Sequence, residues 1–592
     1  MPTISEAFAI AVQHHQAGRR PQAEEIYRQI LALDPQHADV WHLLGVSLFQ
    51  SRNLDAAAEN IQRAIQLNGN LAQYHYNLGN VLRLQKKFDE AIACYHRALE
   101  RKPDYAEAQM NLANVLADAG KLNAAVAAYR RALELRASPF EAHNNLGHAL
   151  ERLGKLEEAI ASYEQAISLN PNHPVTQNNL AKALVGVGRF DESIALSQRV
   201  LESRPDDTGI LNNIGNALRG QGKFFEALSY YQRALEKQPN EAETHCNLGI
   251  TYQQQGDVSA AIRSLRRALE LKPNYAEAHF VLGLVRLLMG EWEAAWPEFE
   301  WRLRLENLIP RRFSVPRWNG ESLAGKTILI HTDYGLGDTL QFIRYAPLVK
   351  QYGGTVVVEC QPPLVKLLTA CCPGIDQVVA QKKESLPHFD CEAPLLSLPG
   401  IFKTTIATVS ATIPYLHPLT ELENRWRERL QQLPGFKVGI HWQGNTQMSY
   451  DRVRSIPLRN FALLAEIPNV HLISLQKFTG VEQLNEIRDL FHVTDFATEL
   501  DQTTGPFLDT AAVMKHLDLV ITCDTATSHL AGALGVPVWL ALPSVPDWRW
   551  MMGRTDSPWY PTIQLFRQPE PGNWPAVFQE INQALLRKIH AQ

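Results

Sequence analysis

The stretch "AEAQMNLANVLADAGKLNAAVAAYRRALEL", residues 106–135, decides the fold of the first half of the chain. Two segments with helical spacing of apolar residues lie on either side of a turn around Gly120. Ala113 lies in the first segment and Ala125 lies in the second, twelve residues later. Helices approach each other closely only where the side chains at their crossing are small. The stretch therefore predicts two helices that pack tightly against each other.

The same pattern recurs with a period of 34 residues, so the first half is an internal repeat. Prolines, which cannot continue a helix, recur in one register at positions 35, 103, 171, 205, 239 and 273, and Gly69 and Ala137 fill the two remaining places. The pattern strongly resembles the tetratricopeptide repeat. About nine units are expected over residues 1–307, the first and last atypical because they cap the array. The resemblance implies an all-α superhelix.

An asparagine recurs at one helical position of these repeats. The 34-residue spacing places the members in one ladder along the concave groove, where such repeats bind a protein or peptide. The ladder is similar to one in the repeat domain of protein O-GlcNAc transferases, where the amides grip an extended peptide. Asparagine tolerated at a helix position is the alternative. The members are Asn77, Asn111, Asn145, Asn179, Asn213 and Asn247.

The second half alternates strand-like and helical stretches. Residues 308–325 are rich in proline and glycine and are predicted to form a linker. Two sets of apolar strands separated by helices follow, in residues 326–425 and 426–592. Continuous apolar strands of this kind indicate parallel sheets covered on both faces. We expect two Rossmann-like lobes, with ligands at the carboxyl ends of their strands.

The segment "HTDYGLGDTLQFIRY", residues 331–345, follows the first of these strands. Its glycines suggest a phosphate loop, but Leu340 occupies the place of the third glycine of a dinucleotide fingerprint. Asp338 and Thr339 stand where a P-loop has lysine and then serine or threonine. The segment therefore matches neither common nucleotide loop and carries a carboxylate instead.

The segment "LDLVITCDTATSHLAGALGVPVWLAL", residues 517–542, contains a strand, a polar turn and a helix of small residues. The start of a helix favours an anion through its free amides and its dipole. Simple capping of the helix by Asp524 or Thr525 is the alternative. We favour a diphosphate site, because the turn contains more small polar residues than a helix cap requires. Its predicted residues are Asp524, Thr525, Ala526, Thr527, Ser528 and His529.

Several motifs together resemble the ADP-heptose:lipopolysaccharide heptosyltransferase group of GT-B glycosyltransferases. The resemblance covers about residues 300–590 and extends to bacterial relatives fused to repeats. It implies an α/β GT-B domain that catalyses inverting, metal-independent transfer from a nucleotide-diphosphate sugar to a hydroxyl, with no cofactor. The motifs are "GLGDTLQF", "VGIHWQGN", "RSIPLRNF", "LISLQ", "CDTATSHLAGALGVP" and "PDWRWMMGRTDSPWYP".

The resemblance also implies roles for individual residues. Asp338 matches the acidic residue of the family's first loop, a proposed general base, although its position also suits the N-cap of a helix that begins at Thr339. Arg452 and Arg454 lie near a basic residue that the family uses on the donor phosphates, and either one fits. The aromatic segment 546–561 is expected to stack on a base or sugar, or to pack at the lobe edge. Expected to line the nucleotide and sugar pocket are Gly335, Gly337, His441, Gln443 and Gln476.

The charge, the cysteines and the apolar runs of the chain narrow the classes of function that suit it. The net charge is −5, with no long basic run, which does not suggest a nucleic-acid binder. The seven cysteines form no CxxC pair, so no metal site is predicted, and a reducing, cytoplasmic location is expected. Neither a signal peptide nor an apolar run of membrane length is recognisable. The expected function is a glycosyltransferase whose repeats bind a protein or peptide acceptor; the alternative is an interaction scaffold whose GT-B domain binds a sugar nucleotide without catalysis.

Overall fold

The computed structural model describes residues 3–136, 138–305, 311, 313–332, 334–381, 386–410, 412–447 and 450–591. Ala137 and the beginning of the predicted linker, residues 308–310, lie outside the described residues. The chain divides into two compact units, Met1–Asn240 and Glu241–Gln592. The last repeat helices therefore belong to the same unit as the strands.

The first unit consists of helices joined by short turns. They are α1 (Ile4–Gln16), α2 (Arg20–Leu33), α3 (Ala38–Gln50), α4 (Leu54–Leu67), α5 (Ala72–Leu84), α6 (Phe88–Arg101), α7 (Ala106–Asp118), α8 (Leu122–Glu134), α9 (Pro139–Arg152), α10 (Leu156–Leu169), α11 (Pro174–Gly186), α12 (Phe190–Ser203), α13 (Thr208–Gly220) and α14 (Phe224–Lys237). Consecutive helices pair as the 34-residue period predicts. The all-α repeat fold expected for this part of the chain is confirmed.

The small residues lie where the two helices of a repeat cross. A Cβ atom on Gly147 of α9 would lie 2.6 Å from Cε1 of Tyr163 on α10, and one on Gly215 would lie 2.5 Å from Cε1 of Tyr231. Both separations are closer than carbon atoms tolerate, so the tyrosine ring fills the space that glycine leaves. Pro103 lies two residues beyond the end of α6, where its missing N–H does not interrupt the helix.

The second unit begins with four repeat helices and continues as an α/β structure. The repeat helices are α15 (Ala242–Gln255), α16 (Val258–Leu271), α17 (Ala276–Met289) and α18 (Trp292–Phe299). The later helices are α19 (Leu336–Phe342), α20 (Ala346–Lys350), α21 (Val365–Cys371), α22 (Leu398–Ile401), α23 (Thr420–Gln431), α24 (Asp451–Arg454), α25 (Ala462–Ala465), α26 (Gln483–Glu486), α27 (Leu508–Met514), α28 (Ala526–Ala533) and α29 (Trp574–His590).

Two parallel sheets form the core of this α/β part. The first contains β1 (Thr327–His331), β2 (Thr355–Cys360), β3 (Gln377–Ala380) and β4 (Cys391–Pro394), in the order β3-β2-β1-β4. The second contains β5 (Phe436–His441), β6 (Val470–Ser474), β7 (Thr494–Asp495), β8 (Leu519–Thr522), β9 (Val538–Leu542) and β10 (Ile563–Arg567), in the order β10-β9-β8-β5-β6-β7. All pairings between these strands are parallel. The predicted pair of parallel sheets is confirmed.

A cluster of aromatic rings, which we call the aromatic joint, fastens the last repeat to the α/β part. The Trp292 and Trp559 rings stack with centroids 4.9 Å apart, and Trp296 meets Trp548 edge to face at 5.9 Å. Phe299 also contacts Trp548, at 6.1 Å. Together these five buried rings form the joint, and they continue the apolar core of the sheets. The last repeat is therefore part of that core.

The described part of the predicted linker packs on the first sheet. The backbone N–H of Trp318 donates to the carbonyl of Glu392 on β4 at 2.8 Å, and the Trp318 side chain is buried. The preceding residue, Arg317, forms a parallel bridge with Glu392. This end of the segment thus extends the sheet beside β4.

Candidate functional site

The turn after β8 carries the polar residues predicted to hold a diphosphate. Thr525 is the N-cap residue of α28, with an extended backbone and no capping bond from its side chain. Its hydroxyl lies 3.3 Å from Nδ1 of His441, at the end of β5. Ser528 donates its hydroxyl to the Thr525 carbonyl at 2.7 Å, so that hydroxyl is already used within the turn. The backbone amides at the start of α28 are the anion-attracting groups that remain.

The glycine loop after β1 meets this turn directly. A Cβ atom on Gly337 would lie 3.0 Å from Cδ2 of His529 and 3.6 Å from the backbone nitrogen of Ala526. Glycine therefore lets α19 approach the first turn of α28 more closely than a side chain would allow. The two motifs, almost two hundred residues apart in sequence, lie side by side in the structure.

Asp338 lies in the first turn of α19, and its position corrects one expectation. The sequence suggested a cap on a helix that starts at Thr339, but α19 starts at Leu336 and Gly335 is its N-cap residue. Oδ2 of Asp338 accepts a hydrogen bond from the Gly335 N–H at 2.8 Å. The side chain as a whole is 21% exposed. Burial raises the pKa of Asp338, and the nearby Arg549 opposes that rise.

The cation beside Asp338 is Arg549, which the sequence reasoning did not select. It lies in a 3₁₀ turn, Trp548–Trp550, that follows β9. Its guanidinium pairs with Oδ1 of Asp338 and donates to Oδ1 of Asp547 at 2.8 Å. Arg549 lies in the motif "PDWRWMMGRTDSPWYP", which we expected either to stack on a base or sugar or to pack at the lobe edge. Its position next to two carboxylates follows from the fold alone.

Asp524 is a third carboxylate of this cluster. It is 7% exposed, and the Arg454 guanidinium donates to its backbone carbonyl at 2.9 Å. Burial, together with the neighbouring Asp547 carboxylate, raises the pKa of Asp524 to about 7. A carboxyl group with such a pKa exchanges protons near neutral pH, a property common in catalytic sites.

The structure separates the two arginines between which the sequence did not choose. Both lie on α24, but Arg454 is half-buried while Arg452 is exposed. Nε of Arg454 pairs with Oδ1 of Asp451 at 3.1 Å, which directs the side chain towards the β8 turn. Burial and the charge of Arg454 lower the pKa of the nearby His441 to about 3, so that imidazole stays neutral. The geometry therefore places Arg454 and His441 beside the turn.

The two glutamines predicted near the nucleotide brace a loop. The side-chain oxygen of Gln476 accepts from the backbone N–H groups of Trp442 and Gln443, at 3.1 and 3.0 Å. Its amide nitrogen donates to the carbonyls of Gln443 and Thr479, at 2.9 and 2.7 Å. The Gln443 side chain accepts from Gln483 at 2.8 Å. Because its bonds go to the chain, the amide of Gln476 fixes the end of β5.

His529 lies inside α28. Its Nδ1 is 3.0 Å from the Tyr560 hydroxyl, and its ring stacks on Trp550 with centroids 5.4 Å apart. Burial lowers the pKa of His529 well below the ordinary value, with a further contribution from Arg549. The ring is therefore neutral and packs the core beneath the turn.

The asparagine ladder forms hydrogen bonds between neighbouring repeats. The amide of Asn111 donates to Oδ1 of Asn80 at 2.9 Å, and the amide of Asn145 donates to Oδ1 of Asn114 at 3.1 Å. Other members differ. The Asn77 amide lies 2.7 Å from Nε2 of His42, and the Asn213 amide donates to Asn178. Among the described residues, the Asn179 side chain forms no hydrogen bond, and the buried Nδ2 of Asn247 has no hydrogen-bond partner. Part of the ladder thus holds repeats together, a role that the sequence did not suggest.

A cavity of about 580 Å³ lies apart from all these residues, at the connection between β6 and β7. Its apolar lining includes Phe478, Val481, Leu484, Ile487 and Phe491. None of the predicted site residues lines it. The candidate site is therefore a junction between two loops and is not this cavity.

Within the described ranges, no group of three or more His, Cys, Asp or Glu side chains is arranged to hold a metal ion. In the same part of the chain, no helix combines the length and apolar character needed to cross a bilayer.

Comparisons with known proteins support the repeat assignment. A model described as "Tetratricopeptide repeat" matches residues 8–72, and one described as "Cilia and flagella-associated protein 70 C-terminal domain" matches residues 68–284. The repeats are thus of the tetratricopeptide type, which typically serves as a protein-interaction scaffold. The two matched ranges end at residues 72 and 284, so neither reaches the strands of the α/β part.

Individual relatives are distant. Protein FlbA of Caulobacter vibrioides is 26% identical over 324 residues, which is 50% of this chain and 53% of that protein. The chain thus spans about half the length of this curated relative. A crystal structure of MamA is 23% identical with a TM-score of 0.26 and covers 27% of this chain and 93% of that one. The crystal structure of YrrB, titled a TPR protein with an unusual peptide-binding site, is 27% identical with a TM-score of 0.26 and covers 31% of this chain and 95% of that one.

Proposed function

We propose that the α/β part is a GT-B glycosyltransferase that moves a sugar from a nucleotide-diphosphate sugar to an acceptor hydroxyl. The observation that carries the proposal is the contact between the glycine loop of α19 and the first turn of α28. This contact brings Asp338, whose side chain is partly exposed, next to a helix start that attracts a diphosphate. A general base and an anion site at the carboxyl ends of strands from two parallel sheets suit such a transfer.

In the proposed reaction, the Asp338 carboxylate removes the proton of the acceptor hydroxyl. The acceptor oxygen then bonds to the anomeric carbon, and the bond from that carbon to the phosphate oxygen breaks. The electron pair leaves with the nucleoside diphosphate, and attack from the opposite face inverts the configuration. The α28 amides and the Arg454 guanidinium stabilise the charge that develops on the leaving diphosphate. This distribution of charge requires no metal ion.

The repeats supply the acceptor in this proposal. A protein or peptide bound to a tetratricopeptide groove has a high effective concentration at a catalytic domain on the same chain. The acceptor group is then a serine or threonine hydroxyl. The expected cytoplasmic location suits a protein acceptor of this kind and remains a prediction.

The test measures release of nucleoside diphosphate from UDP-N-acetylglucosamine, UDP-glucose, GDP-mannose and ADP-glucose, with water as acceptor. We expect at least one donor to be hydrolysed, and Asp338→Asn to lower that rate by about 100-fold or more, the usual range for loss of a general base. Asp556→Asn is the control, because Asp556 is exposed and pairs with Arg554 outside the cluster. A wild-type chain that releases nucleoside diphosphate from none of the donors would contradict the proposal.

A second candidate is an interaction scaffold whose α/β part binds a sugar nucleotide without turnover. The observation that favours it is that both oxygens of Asp338 are engaged, one by the Gly335 N–H and one by Arg549. This candidate predicts that donors raise the melting temperature by mass action. It also predicts no release of nucleoside diphosphate, and identical behaviour of wild type and Asp338→Asn.

A further inference from the structure

We propose that Arg549 is the positioning residue of the transferase site and fixes the Asp338 carboxylate for proton removal. The inference rests on the proposed glycosyltransferase function. It concerns a residue in the segment between β9 and β10, which the sequence motifs did not link to catalysis. The three observations that support it are the hydrogen bonds of the guanidinium, the rings around it and the charges that face Asp338.

The guanidinium joins three parts of the site through three separate nitrogens. Nε donates to the side-chain oxygen of Gln341 at 2.6 Å, and Nη1 donates to Oδ1 of Asp547 at 2.8 Å. Nη2 donates to Oδ1 of Asp338. A planar fork with fixed donor directions can satisfy three such acceptors at once, whereas a lysine ammonium acts as a single point charge. The position therefore requires arginine.

Aromatic rings hold this fork in place. The guanidinium carbon lies 4.5 Å from the centre of the Trp548 ring and 5.6 Å from that of Phe342. Arg549 itself is buried. Trp548 belongs to the aromatic joint, so the backbone beside Arg549 is anchored in the core. The side chain has little freedom to follow a moving carboxylate, and Asp338 is held to one orientation instead.

The charges around Asp338 show how Arg549 affects the pKa of that carboxyl group. Burial raises the pKa of this carboxyl group, and Asp547, on the same segment as Arg549, raises it further. Arg549 and the Gly335 N–H of the glycine loop oppose the rise. From α28, the side chain nearest the loop is His529, which is neutral. Arg549 is thus the cation that opposes protonation of Asp338, the carboxylate proposed as the base.

The experiment uses the full chain and the best donor from the panel named above. For Arg549→Gln we expect kcat of donor hydrolysis to fall about 30- to 100-fold, while KM stays within about threefold. The acidic limb of the kcat/KM profile should move to higher pH, since loss of the cation raises the pKa of the base. The control is Arg554→Gln, five residues along, where the arginine pairs with Asp556; both kinetic constants should remain unchanged.

Two further measurements keep the inference falsifiable. If Arg549→Gln does not fold, Arg549→Lys replaces it, with the same expected shift of the acidic limb in a smaller amount. An acidic limb identical to wild type in a folded variant would overturn the inference. A double-mutant cycle of urea midpoints with Asp338→Asn should be non-additive, and additive midpoints would also overturn it. A wild-type chain that hydrolyses no donor refutes the proposed function, and the urea cycle then still decides whether Arg549 holds Asp338.

Discussion

The two units use their polar side chains in opposite ways. In the repeats, one rule recurs every 34 residues, so a residue such as Asn111 or Asn145 has counterparts in other repeats. In the α/β part, Asp338 and Arg549 each serve a single place and meet across 211 residues of sequence. The period reveals the fold of the first region readily but says little about what its amides do. The second region shows the reverse, since its motifs indicate chemistry before its fold is known.

The comparison is sharpest at one repeat position that occurs in both units. Gly147 of the first unit faces the ring of Tyr163. Gly283, at the same position of the last repeat, faces backbone: a Cβ atom there would lie 2.7 Å from the nitrogen of Phe299. A ring can tilt away, whereas a backbone fixed by the aromatic joint cannot.

We therefore expect Gly283→Ala to have the largest effect on stability. It should lower the free energy of unfolding by about 3 kcal/mol or more, because overpacking against backbone cannot be relieved. Gly147→Ala should cost about 1–2 kcal/mol, since the tyrosine ring can move. Urea denaturation followed by circular dichroism gives both values. Equal costs for the two variants would show that the joint is no more rigid than an ordinary repeat.

The next effect separates the two arginines of α24. Arg454→Gln should reduce kcat/KM for the best donor about 100-fold, because the proposed reaction then loses the half-buried cation assigned to the leaving diphosphate. Arg452→Gln is the matched control, two residues away on the same helix and exposed. It should leave the constant within about twofold. A larger loss in the Arg452 variant would reverse our assignment.

The pH dependence of stability tests the carboxylate cluster. The pKa of Asp524 is about 7 in the folded chain and about 4 when unfolded. Between these pH values the folded state keeps a proton that the unfolded state has released, so this group makes stability fall as pH rises. From pH 5 to 7, wild type should lose about 2 kcal/mol relative to Asp524→Asn. Parallel curves of melting temperature against pH for the two chains would contradict the raised pKa.

The smallest expected effect concerns the ladder of the first unit. Asn145→Ala should lower the free energy of unfolding by about 1 kcal/mol, because Oδ1 of Asn114 loses the hydrogen bond that it accepts from the Asn145 amide. Asn179→Ala should change it by less than about 0.5 kcal/mol, since that amide has no hydrogen-bond partner among the described residues. Thermal unfolding of both variants measures the difference. A larger loss of unfolding free energy for Asn179→Ala than for Asn145→Ala would contradict the distinction between bonded and unbonded members of the ladder.

The sequence predicted the regular features of both halves. The helix pairs follow from small residues at crossings such as Gly147, and the two parallel sheets follow from apolar strands separated by helices. It also selected Asp338 and the turn from Asp524 to Ser528, which the fold brings close together. Each of these rests on a local pattern that a short stretch of chain displays.

The remaining features depend on contacts between distant residues. Arg549 stands among tryptophans in the sequence, and nothing local shows that it reaches Asp338. Gln476 was expected to line the nucleotide pocket, and nothing local in the sequence shows that its amide bonds to the backbone around residue 443. A side chain with free hydrogen-bonding groups and one whose groups are already bonded look the same in sequence, because the difference depends on which strand ends beside the side chain.

The aromatic joint has a consequence for how such a chain can vary in length. The rings that anchor the 3₁₀ turn of Trp548 come from α18, the last repeat helix. Repeats added or lost well upstream of α15 leave these rings untouched, whereas a change within α17 or α18 removes the support of the turn itself. The length of the repeat array can thus change upstream of α15, while the final repeat is fixed by its contacts with the 3₁₀ turn.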